Sequence, residues 1–368
     1  MNLGLAFRKT EAEAAGFRPV APVAKPTGHS AFRGDPFLND RYSPQTGIPA
    51  ADTKKARSHA SKEPKVAILL CTHQGQRFLQ EQLESFADQT HKNWEVWASD
   101  DASDDLTLEL LAQFQKKVGA DRISIHSGPN TGFCANFLSL ACKAEIAADY
   151  YAYSDQDDIW KPEKLARALA YLQTIPANVP ALYCSRTELV DASGNHIGYS
   201  PLFKKTPSFK NALMQNVGGG NTMVFNEAAR LLLIKAGTNV HVVTHDWFAY
   251  QLITGAGGVV FYDSYPSLLY RQHEKNLVGM NATWAARYKR IRMMWQGRFR
   301  EWININVDEL KKLDDVLTPK NSQTLEQFEK ARSKPLILRL MALKKSGIYR
   351  QTLLGNLGLI AATVFGKI

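Results

Sequence analysis

The 368-residue sequence predicts an α/β protein in which a mainly parallel mixed sheet is flanked by helices. Three observations support this fold class. Short apolar stretches alternate with amphipathic helical stretches between residues 66 and 153. The apolar stretches are nearly continuous, which is typical of parallel strands buried on both faces. Polar clusters follow three of these stretches, at the edge where open α/β sheets bind ligands.

The first half of the predicted sheet has the clearest pattern. The stretch at 66–71 is apolar throughout, and the helical stretch after it carries Phe78, Leu79, Leu83 and Phe86 on one face. The predicted strands are 66–71, 94–98, 123–125 and 150–153, and the predicted helices are 77–88, 106–114 and 133–144. Polar clusters lie at 72–75, 100–105 and 154–158. Because parallel strands end at the same edge of a sheet, we expect these clusters to meet.

The second half is less regular, and the two ends of the chain differ from the middle. Predicted strands lie at 181–184, 221–225, 259–262 and 268–270, with helices at 226–236 and from 245 onward. The sequence predicts a folded domain at 63–280, with halves 63–175 and 176–280, and a helical tail at 281–368. Residues 1–62 contain many Pro, Ala, Ser, Lys and Gly residues without a sustained period, and we predict that they are largely disordered.

The net charge of +10 is distributed unevenly. Residues 281–368 carry 17 Lys and Arg against 7 Asp and Glu, whereas residues 64–280 carry 18 against 22. A nucleic-acid enzyme would carry its basic surface around the active site, so we expect no nucleic-acid partner. A basic tail is better suited to anionic lipid headgroups.

Composition also indicates the compartment. The four cysteines have no CxxC spacing, and we expect reduced thiols without a zinc site or a disulfide framework. Residues 1–9 lack the apolar region of a secretory signal, and no run reaches the roughly 18 apolar residues that span a bilayer. We therefore expect a cytoplasmic protein.

Three carboxylates, Asp155, Asp157 and Asp158, follow the aromatic strand predicted at 150–153. Unpaired, such charges repel one another and are costly to desolvate. A divalent cation would remove this conflict, because carboxylates two residues apart can bind one hard metal ion. The alternative interpretation is a solvated turn before the helix that begins near Glu163.

Five segments with further polar residues occur in order along the chain. They are VAILLCTHQGQRFLQEQLESFADQTHKNWEV, SDDASDD, PNTGFCANF, YSDQDDIWKPEKL, and HDW together with YRQHEKNLVG. In these segments the chain resembles the family 2 glycosyltransferases of GT-A fold, and among them the rhamnosyltransferase-type enzymes of bacterial surface-polysaccharide assembly. Each segment alone is weakly specific, whereas five in order are strongly specific. The resemblance implies a Rossmann-like GT-A domain with a nucleotide-sugar half followed by an acceptor half.

The resemblance implies that the first loop lines the base of a nucleoside-diphosphate sugar. Cys71, Thr72 and His73 would form this lining. The family usually has Thr or Ser in place of Cys71 and Tyr in place of His73, although an imidazole can still stack on a pyrimidine. A polar loop with a turn at Gly75 is the alternative interpretation.

Three further residues match donor-binding positions of the family. Asp101 would accept a hydrogen bond from a ring N–H of a pyrimidine, with helix capping as its alternative role. Asn130 and Asn136 match the family's Asn-x-Gly-Phe-x-x-Asn pattern, and a turn at 129–132 explains them equally well.

The resemblance identifies Asp155 and Asp157 as the DxD motif, which binds Mg²⁺ or Mn²⁺ bridging the donor diphosphate. Such a metal neutralises charge that develops on the departing nucleoside diphosphate. His273 is implied as a further metal ligand, and Asp155 and Arg271 as contacts to the donor. A structural role is the alternative for His273.

Asp246, in the segment HDW, matches the family's catalytic base. A carboxylate beside the anomeric carbon can take the proton of the attacking acceptor hydroxyl, and direct attack inverts the anomeric centre. The alternative role of Asp246 is helix capping. Glu188 and Asp191 are the next candidates for the base, and Gly218–Gly220 would let the backbone approach the acceptor.

The implied function is inverting transfer of rhamnose or a similar hexose to a growing, lipid-linked surface glycan. The tail, with Trp284, Trp295 and Trp302 among Lys and Arg residues, would bind the inner face of the cytoplasmic membrane. A helical cap on the core of the sheet is the alternative role of the tail. The alternative functions are a sugar-nucleotide nucleotidyltransferase, which needs a basic Gly-rich first loop, and an inactive glycan- or lipid-binding scaffold.

Overall fold

The computed structural model describes residues 63–273 and 298–368, and residues 63–368 form one compact unit. The predicted disorder of residues 1–62 lies outside the described residues, as does the first part of the predicted tail, including Trp284 and Trp295. Within the described part of the chain, nine strands form a single sheet with helices on both faces.

The predicted mixed sheet flanked by helices is confirmed. Its strands are β1 (Val66–Thr72), β2 (Trp94–Asp100), β3 (Ile123–Ser127), β4 (Tyr150–Ser154), β5 (Ile159–Trp160), β6 (Ala181–Val190), β7 (His196–Tyr199), β8 (Val224–Asn226) and β9 (Val259–Arg271). Their order is β3-β2-β1-β4-β8-β6-β9-β5, and β7 pairs with β6.

The parallel half of the sheet is β3-β2-β1-β4, with β1 at its centre. Val66 aligns with Trp94 of β2 on one side and with Tyr150 of β4 on the other. Every residue of β1 is buried, as its continuous apolar sequence predicted. Because all four strands are parallel, the polar loops that follow β1, β2 and β4 lie at one edge.

The other half of the sheet is mixed and differs from the prediction in two places. β8 is antiparallel to β4 and β6, and it is shorter than the predicted strand 221–225 because residues 220–222 form a 3-10 turn. The predicted strands 259–262 and 268–270 form the single strand β9. Its register to β6 shifts where Arg186 aligns with Pro266, which has no N–H for the ladder.

The helices are α1 (Leu79–Ala87), α2 (Thr107–Val118), α3 (Phe133–Ala141), α4 (Lys164–Leu172), α5 (Phe209–Ala212), α6 (Glu227–Ala236), α7 (His245–Gly255), α8 (Arg298–Lys312), α9 (Pro319–Arg332), α10 (Leu336–Ser346) and α11 (Leu353–Val364). One face of the sheet packs against α1, α2 and α4 through Leu83, Phe114 and Leu169. The opposite face packs against α3 and α7 through Phe137 and Phe248. The two cores hold the loops at the carboxyl edge in place.

The described tail helices pack on the second of these cores. Ile303 and Val307 of α8 and Phe328 of α9 are buried in it. Asn306 Oδ1 also accepts the Val243 backbone N–H at 3.0 Å, just before α7. This is the packing that a helical cap on the sheet would give. None of the helices in the two described ranges is long and apolar enough to cross a bilayer.

Candidate active site

The loops that follow β1 and β2 are bonded to each other at the carboxyl edge of the sheet. Thr72 Oγ1 donates to Asp100 Oδ1 at 2.7 Å, and the Asp101 backbone N–H donates to Thr72 O at 2.8 Å. His73 lies beside them, with Nδ1 2.8 Å from Asp101 O. The structure therefore brings together three of the predicted nucleotide-binding residues, Thr72, His73 and Asp101.

Asp101 also holds the loop after β3. Its carboxylate accepts the backbone N–H groups of Asn130 and Gly132, the latter at 3.1 Å. Asn130 has a φ of 53°, in the left-handed region that Asn tolerates in turns. Asp101 does not cap α2, because Asp105 accepts the Thr107 N–H at the start of that helix. A carboxylate has about four acceptor sites, so Asp101 retains capacity for a further donor.

Two other predicted donor-binding residues lie deeper in the protein. Asn136 is 1% exposed, and its side chain both donates to Ser99 O at 3.0 Å and accepts from Ser99 Oγ. Cys71 is buried, and burial, together with the charges of Asp155 and Asp101, raises the pKa of its thiol well above the ordinary value. Contact of these two side chains with a donor stays a prediction.

Three carboxylates crowd the loop after β4. Asp158 is buried, whereas Asp155 and Asp157 are half-buried. Burial, followed by the charges of Asp157 and Asp246, raises the pKa of Asp155 to about 8. Burial and the charges of Asp157 and Asp155 raise the pKa of Asp158 well above its usual range. The surroundings therefore disfavour so much negative charge, and a bound cation would relieve it.

Asp157 and Asp158 are bonded to residues far along the chain. His273 Nε2 lies 2.7 Å from Asp157 Oδ2. Asn221 Nδ2 donates to Asp158 Oδ2 at 2.6 Å. The predicted metal residues Asp157 and His273 thus meet directly, although more than a hundred positions separate them.

Arg271 lies beneath the same loop and is buried. Its guanidinium donates to Glu81 Oε2 at 2.7 Å, to Ala192 O at 3.1 Å and to Asp157 O at 3.2 Å. These bonds fix the position of the loop. A contact between Arg271 and the donor diphosphate stays a prediction.

The carboxylates of this loop suit a divalent cation that substrate phosphates help to bind. In the described ranges, no three His, Cys, Asp or Glu side chains are grouped closely enough to hold a metal by themselves. Mg²⁺ is usually held by one or two carboxylates together with substrate phosphates and water. Asp157 and Asp155 supply such carboxylates, and the raised pKa of Asp155 indicates the need for a counter-charge.

Asp246 lies in the first turn of α7 and faces the glycine loop before β8. Its Oδ2 accepts the Gly220 N–H at 3.0 Å, and its Oδ1 accepts the Trp247 N–H at 2.7 Å. The other candidate bases are engaged elsewhere: Glu188 is paired with Lys161 at 2.6 Å, and Asp191 accepts N–H groups of its own turn. Asp246 is therefore the best placed of the three.

His245, the residue before Asp246, is buried and packs against aromatic rings. Its ring stacks on Phe137 with the centroids 4.0 Å apart and meets Tyr153 edge-on at 4.8 Å. Burial lowers its pKa to about 4, so the imidazole is neutral at pH 7. A Cβ at Gly220 would lie 2.5 Å from His245 Nε2, which is why only glycine fits there.

Adjacent residues of one turn connect the loop after β4 with the start of α7. The Gly220 N–H bonds to Asp246, and the Asn221 side chain bonds to Asp158. The distance between the two carboxylate regions is therefore set by a buried 3-10 turn. Asn221 was not predicted as a site residue, because its partner is 63 positions away and leaves no local pattern.

Sequence analysis also missed Gln156 and Lys164. Gln156 accepts the His73 N–H and donates to His73 O, both at 2.8 Å, and so joins the loop after β4 to the loop after β1. Its position between Asp155 and Asp157 was the only available signal. Lys164 is fully buried, with Nζ 3.2 Å from the centroid of the Trp160 ring. Burial lowers the pKa of Lys164, and the nearby charges of Asp158 and Asp155 oppose this shift.

Comparison with known proteins agrees with this arrangement. Residues 67–233 match the family described as Glycosyl transferase family 2. The dTDP-rhamnosyl transferase RfbG of Shigella flexneri is 29% identical over 246 residues, which cover 63% of this chain and 81% of that protein. The putative glycosyltransferase EpsE of Bacillus subtilis is 34% identical over 110 residues, 30% of this chain and 39% of that protein.

Among solved structures, S. aureus TarS 1–349 in complex with UDP-GlcNAc is similar to 77% of this chain, over 93% of its own length. The sequence identity is 15% and the TM-score is 0.46. The family match spans β1 to α6, which includes the loops of Asp101 and Asp157. Residues 67–233 of this chain are therefore similar to a family 2 glycosyl transferase domain.

Proposed function

We propose that this chain catalyses metal-dependent, inverting transfer of rhamnose or a similar hexose from a nucleoside diphosphate to an acceptor hydroxyl. The observation that carries this proposal is the connection of the Asp155–Asp158 loop to Asp246 through Gly220 and Asn221. The named activity of the Shigella relative supports dTDP-rhamnose as the first donor to test.

Asp246 acts as the base in the proposed reaction. The acceptor oxygen attacks the anomeric carbon, and its proton passes to the Asp246 carboxylate. The bond from the anomeric carbon to the phosphate oxygen breaks, and its electron pair leaves on the nucleoside diphosphate. Attack on the face opposite the leaving group inverts the anomeric configuration. The N–H groups of Gly220 and Trp247 hold Asp246 ready for this step.

The loops at the carboxyl edge bind the donor in this proposal. Thr72, His73 and Asp101 face the nucleotide base of the donor. Gln156 holds their loop in place beside Asp157. Asp155, Asp157 and His273 would hold Mg²⁺ or Mn²⁺, which supplies Lewis-acid stabilisation of the charge on the departing diphosphate. Arg271 and Asn221 keep the carboxylates of this loop in place.

The acceptor in this proposal is a growing, lipid-linked glycan of a bacterial surface polysaccharide. Transfer would then take place at the inner face of the cytoplasmic membrane, with the chain bound peripherally. The support for this location is the charge of the tail, since residues 281–368 carry 17 Lys and Arg against 7 Asp and Glu.

Release of nucleoside diphosphate from a panel of UDP-, GDP- and dTDP-sugars tests the proposed function. The reactions are run with Mn²⁺ and again with EDTA. We expect turnover of dTDP-rhamnose or a related hexose donor in Mn²⁺ and its loss in EDTA. Equal turnover in EDTA would refute the proposed metal role. No turnover of any sugar nucleotide would refute the proposed transferase activity.

A further inference from the structure

The last two helices expose an unusual amount of apolar surface. Ten of the eighteen exposed large apolar side chains in the described residues lie between 336 and 365. Leu353 is 77% exposed, Leu354 76% and Ile337 73%. Single exposed apolar residues are ordinary, whereas a concentration of them marks an interaction surface. We call the exposed face of α10 and α11 the tail surface.

The pattern of α11 explains why this face is apolar. Leu359, Ala362 and Thr363 are buried on one side of the helix, while Leu357 and Ile360 are exposed on the other. The helix contains no charged residue. A helix that is apolar all round is normally buried in a protein core or in lipid. In the part of the chain that the structure describes, α11 is covered on one side, and Leu357 and Ile360 on the other side are exposed.

The exposed parts of α10 and α11 form one surface. Arg339 of α10 donates to Thr363 O of α11 at 3.0 Å, which places the start of α10 beside the end of α11. Ile337 and Met341 of α10 are exposed, and so is Phe365 at the end of α11. The tail surface extends along both helices, each about 17 Å long at 1.5 Å per residue.

Charge indicates what covers the tail surface. After Glu329 the chain contains eight Lys and Arg residues and no Asp or Glu. Lys334, Lys344 and Lys345 are exposed at the ends of α10. An apolar face bordered by cations fits the interface of an anionic bilayer. A second copy packed face to face would place these cations against their own copies, which is unfavourable.

The tail surface is joined by hydrogen bonds to the helix that carries Asp246. Between α10 and α11, Tyr349 O accepts from Asn211 of α5 at 3.1 Å, and Gln351 donates to Asn211 Oδ1 at 3.2 Å. In turn Ala212 O accepts from Trp247 Nε1 at 2.7 Å. A bilayer bound to the tail surface would therefore hold a fixed relation to α7.

We propose that the tail surface inserts its leucines into the interface of an anionic bilayer, with Lys344 and Lys345 against the lipid headgroups. This deepens the proposed function, because it assigns the membrane partner to a defined face of the protein. Insertion of apolar side chains also means that salt weakens the binding only in part, since salt screens the lysines and not the leucines.

Sedimentation of the full chain with phosphatidylcholine vesicles, with and without phosphatidylglycerol, tests this proposal. We expect binding that increases with phosphatidylglycerol. Leu353→Gln, Leu354→Gln and Leu357→Gln combined should lower the partition coefficient about tenfold or more. The matched control changes Ile197, Leu231 and Ile234, which are exposed elsewhere, to Gln and should bind as the wild type does.

A second pair of variants tests the charge. Lys344→Glu with Lys345→Glu should weaken binding to the anionic vesicles about tenfold. Lys116→Glu with Lys117→Glu, on the exposed side of α2, changes the net charge equally and should leave binding unchanged. Melting temperatures near that of the wild type show that each variant is folded.

Three outcomes would overturn the proposal. They are a wild type that does not bind anionic vesicles, a leucine variant that binds as the wild type does, and a dimer dispersed by the leucine variant in place of vesicle binding. Donor turnover is measured on the same samples. Vesicle binding without turnover refutes the proposed function alone, and turnover without vesicle binding refutes the tail surface alone.

Discussion

The loop after β4 and the first turn of α7 each place a carboxylate in the candidate site, but their surroundings differ. The loop crowds Asp155, Asp157 and Asp158 together, and burial raises the pKa values of Asp155 and Asp158. Asp246 instead accepts two backbone N–H groups at the start of a helix, where a negative charge is favoured. In the proposed function the loop therefore takes a cation, whereas Asp246 serves as the base.

The largest effect is expected from the loop. Asp157→Ala removes the carboxylate that meets His273, so transfer should fall about 10³-fold or more, as when electrostatic stabilisation of a departing group is lost. The measurement is the rate of transfer in Mn²⁺, with the melting temperature as the check on folding. A variant with wild-type transfer would show that Asp157 does not hold the metal.

The second effect concerns Asp246. Asp246→Asn should lower transfer about 10²–10⁴-fold, because the amide cannot take the proton of the acceptor. Asn keeps one acceptor oxygen but turns an NH₂ group toward either Gly220 or Trp247, so a stability loss of about 1 kcal/mol is expected. Transfer rates and urea unfolding measure both quantities. Near-normal transfer would remove Asp246 from the mechanism.

The third effect is on metal affinity. His273→Gln removes the imidazole from Asp157 and should weaken Mn²⁺ binding about 10- to 100-fold. His196→Gln is the matched control, because His196 pairs with Glu188 at 2.9 Å in the same way but away from the loop. Titration with Mn²⁺ in the presence of donor separates the two variants. Equal affinities would place His273 outside the metal site.

The smallest effect is on stability at low pH and concerns His245, the residue next to Asp246. Its pKa is about 4 in the folded protein against an ordinary 6.5, so the unfolded chain binds more protons between these values. Stability is therefore complete above pH 6.5 and decreases as the pH falls toward 4. Between pH 7 and pH 5 this amounts to about 2 kcal/mol.

Urea unfolding at pH 7 and pH 5 measures this dependence. His245→Gln should lose about 2 kcal/mol less than the wild type over the interval, because Gln does not titrate. The exposed His241 provides the control, and His241→Gln should keep the wild-type dependence. An unchanged dependence in His245→Gln would mean that folding does not lower the pKa of His245.

The sequence could predict features that depend on local patterns, and it could not predict those that depend on contacts between distant residues. β1 and β4 were predicted almost to their ends because both strands are buried on both faces and nearly continuously apolar. The polar loops after them were placed correctly because parallel strands end at one edge. For that reason Thr72, His73 and Asp101, which the family resemblance implied as donor-binding residues, lie together.

Interactions between residues far apart in the chain left no local signal. Asn221 bonds Asp158, and Gln156 bonds His73, across 63 and 83 positions respectively. β9 was divided in the prediction because Pro266 interrupts its pattern, while in the fold the shift in register at Arg186 accommodates the proline. The helical character of the tail was predictable, but its exposed apolar face depended on which sides of α10 and α11 the core covers.

The most direct test of the different roles of the loop after β4 and the first turn of α7 is the affinity for the nucleotide-sugar donor in Mn²⁺. It is measured side by side for Asp157→Asn and Asp246→Asn. The account predicts that Asp157→Asn loses the metal-dependent part of donor binding. Asp246→Asn should bind donor within about twofold of the wild type while it fails to transfer, because a base acts in the transition state. Loss of donor binding in both variants, or in neither, would contradict the separate roles of Asp157 in metal binding and Asp246 as the base.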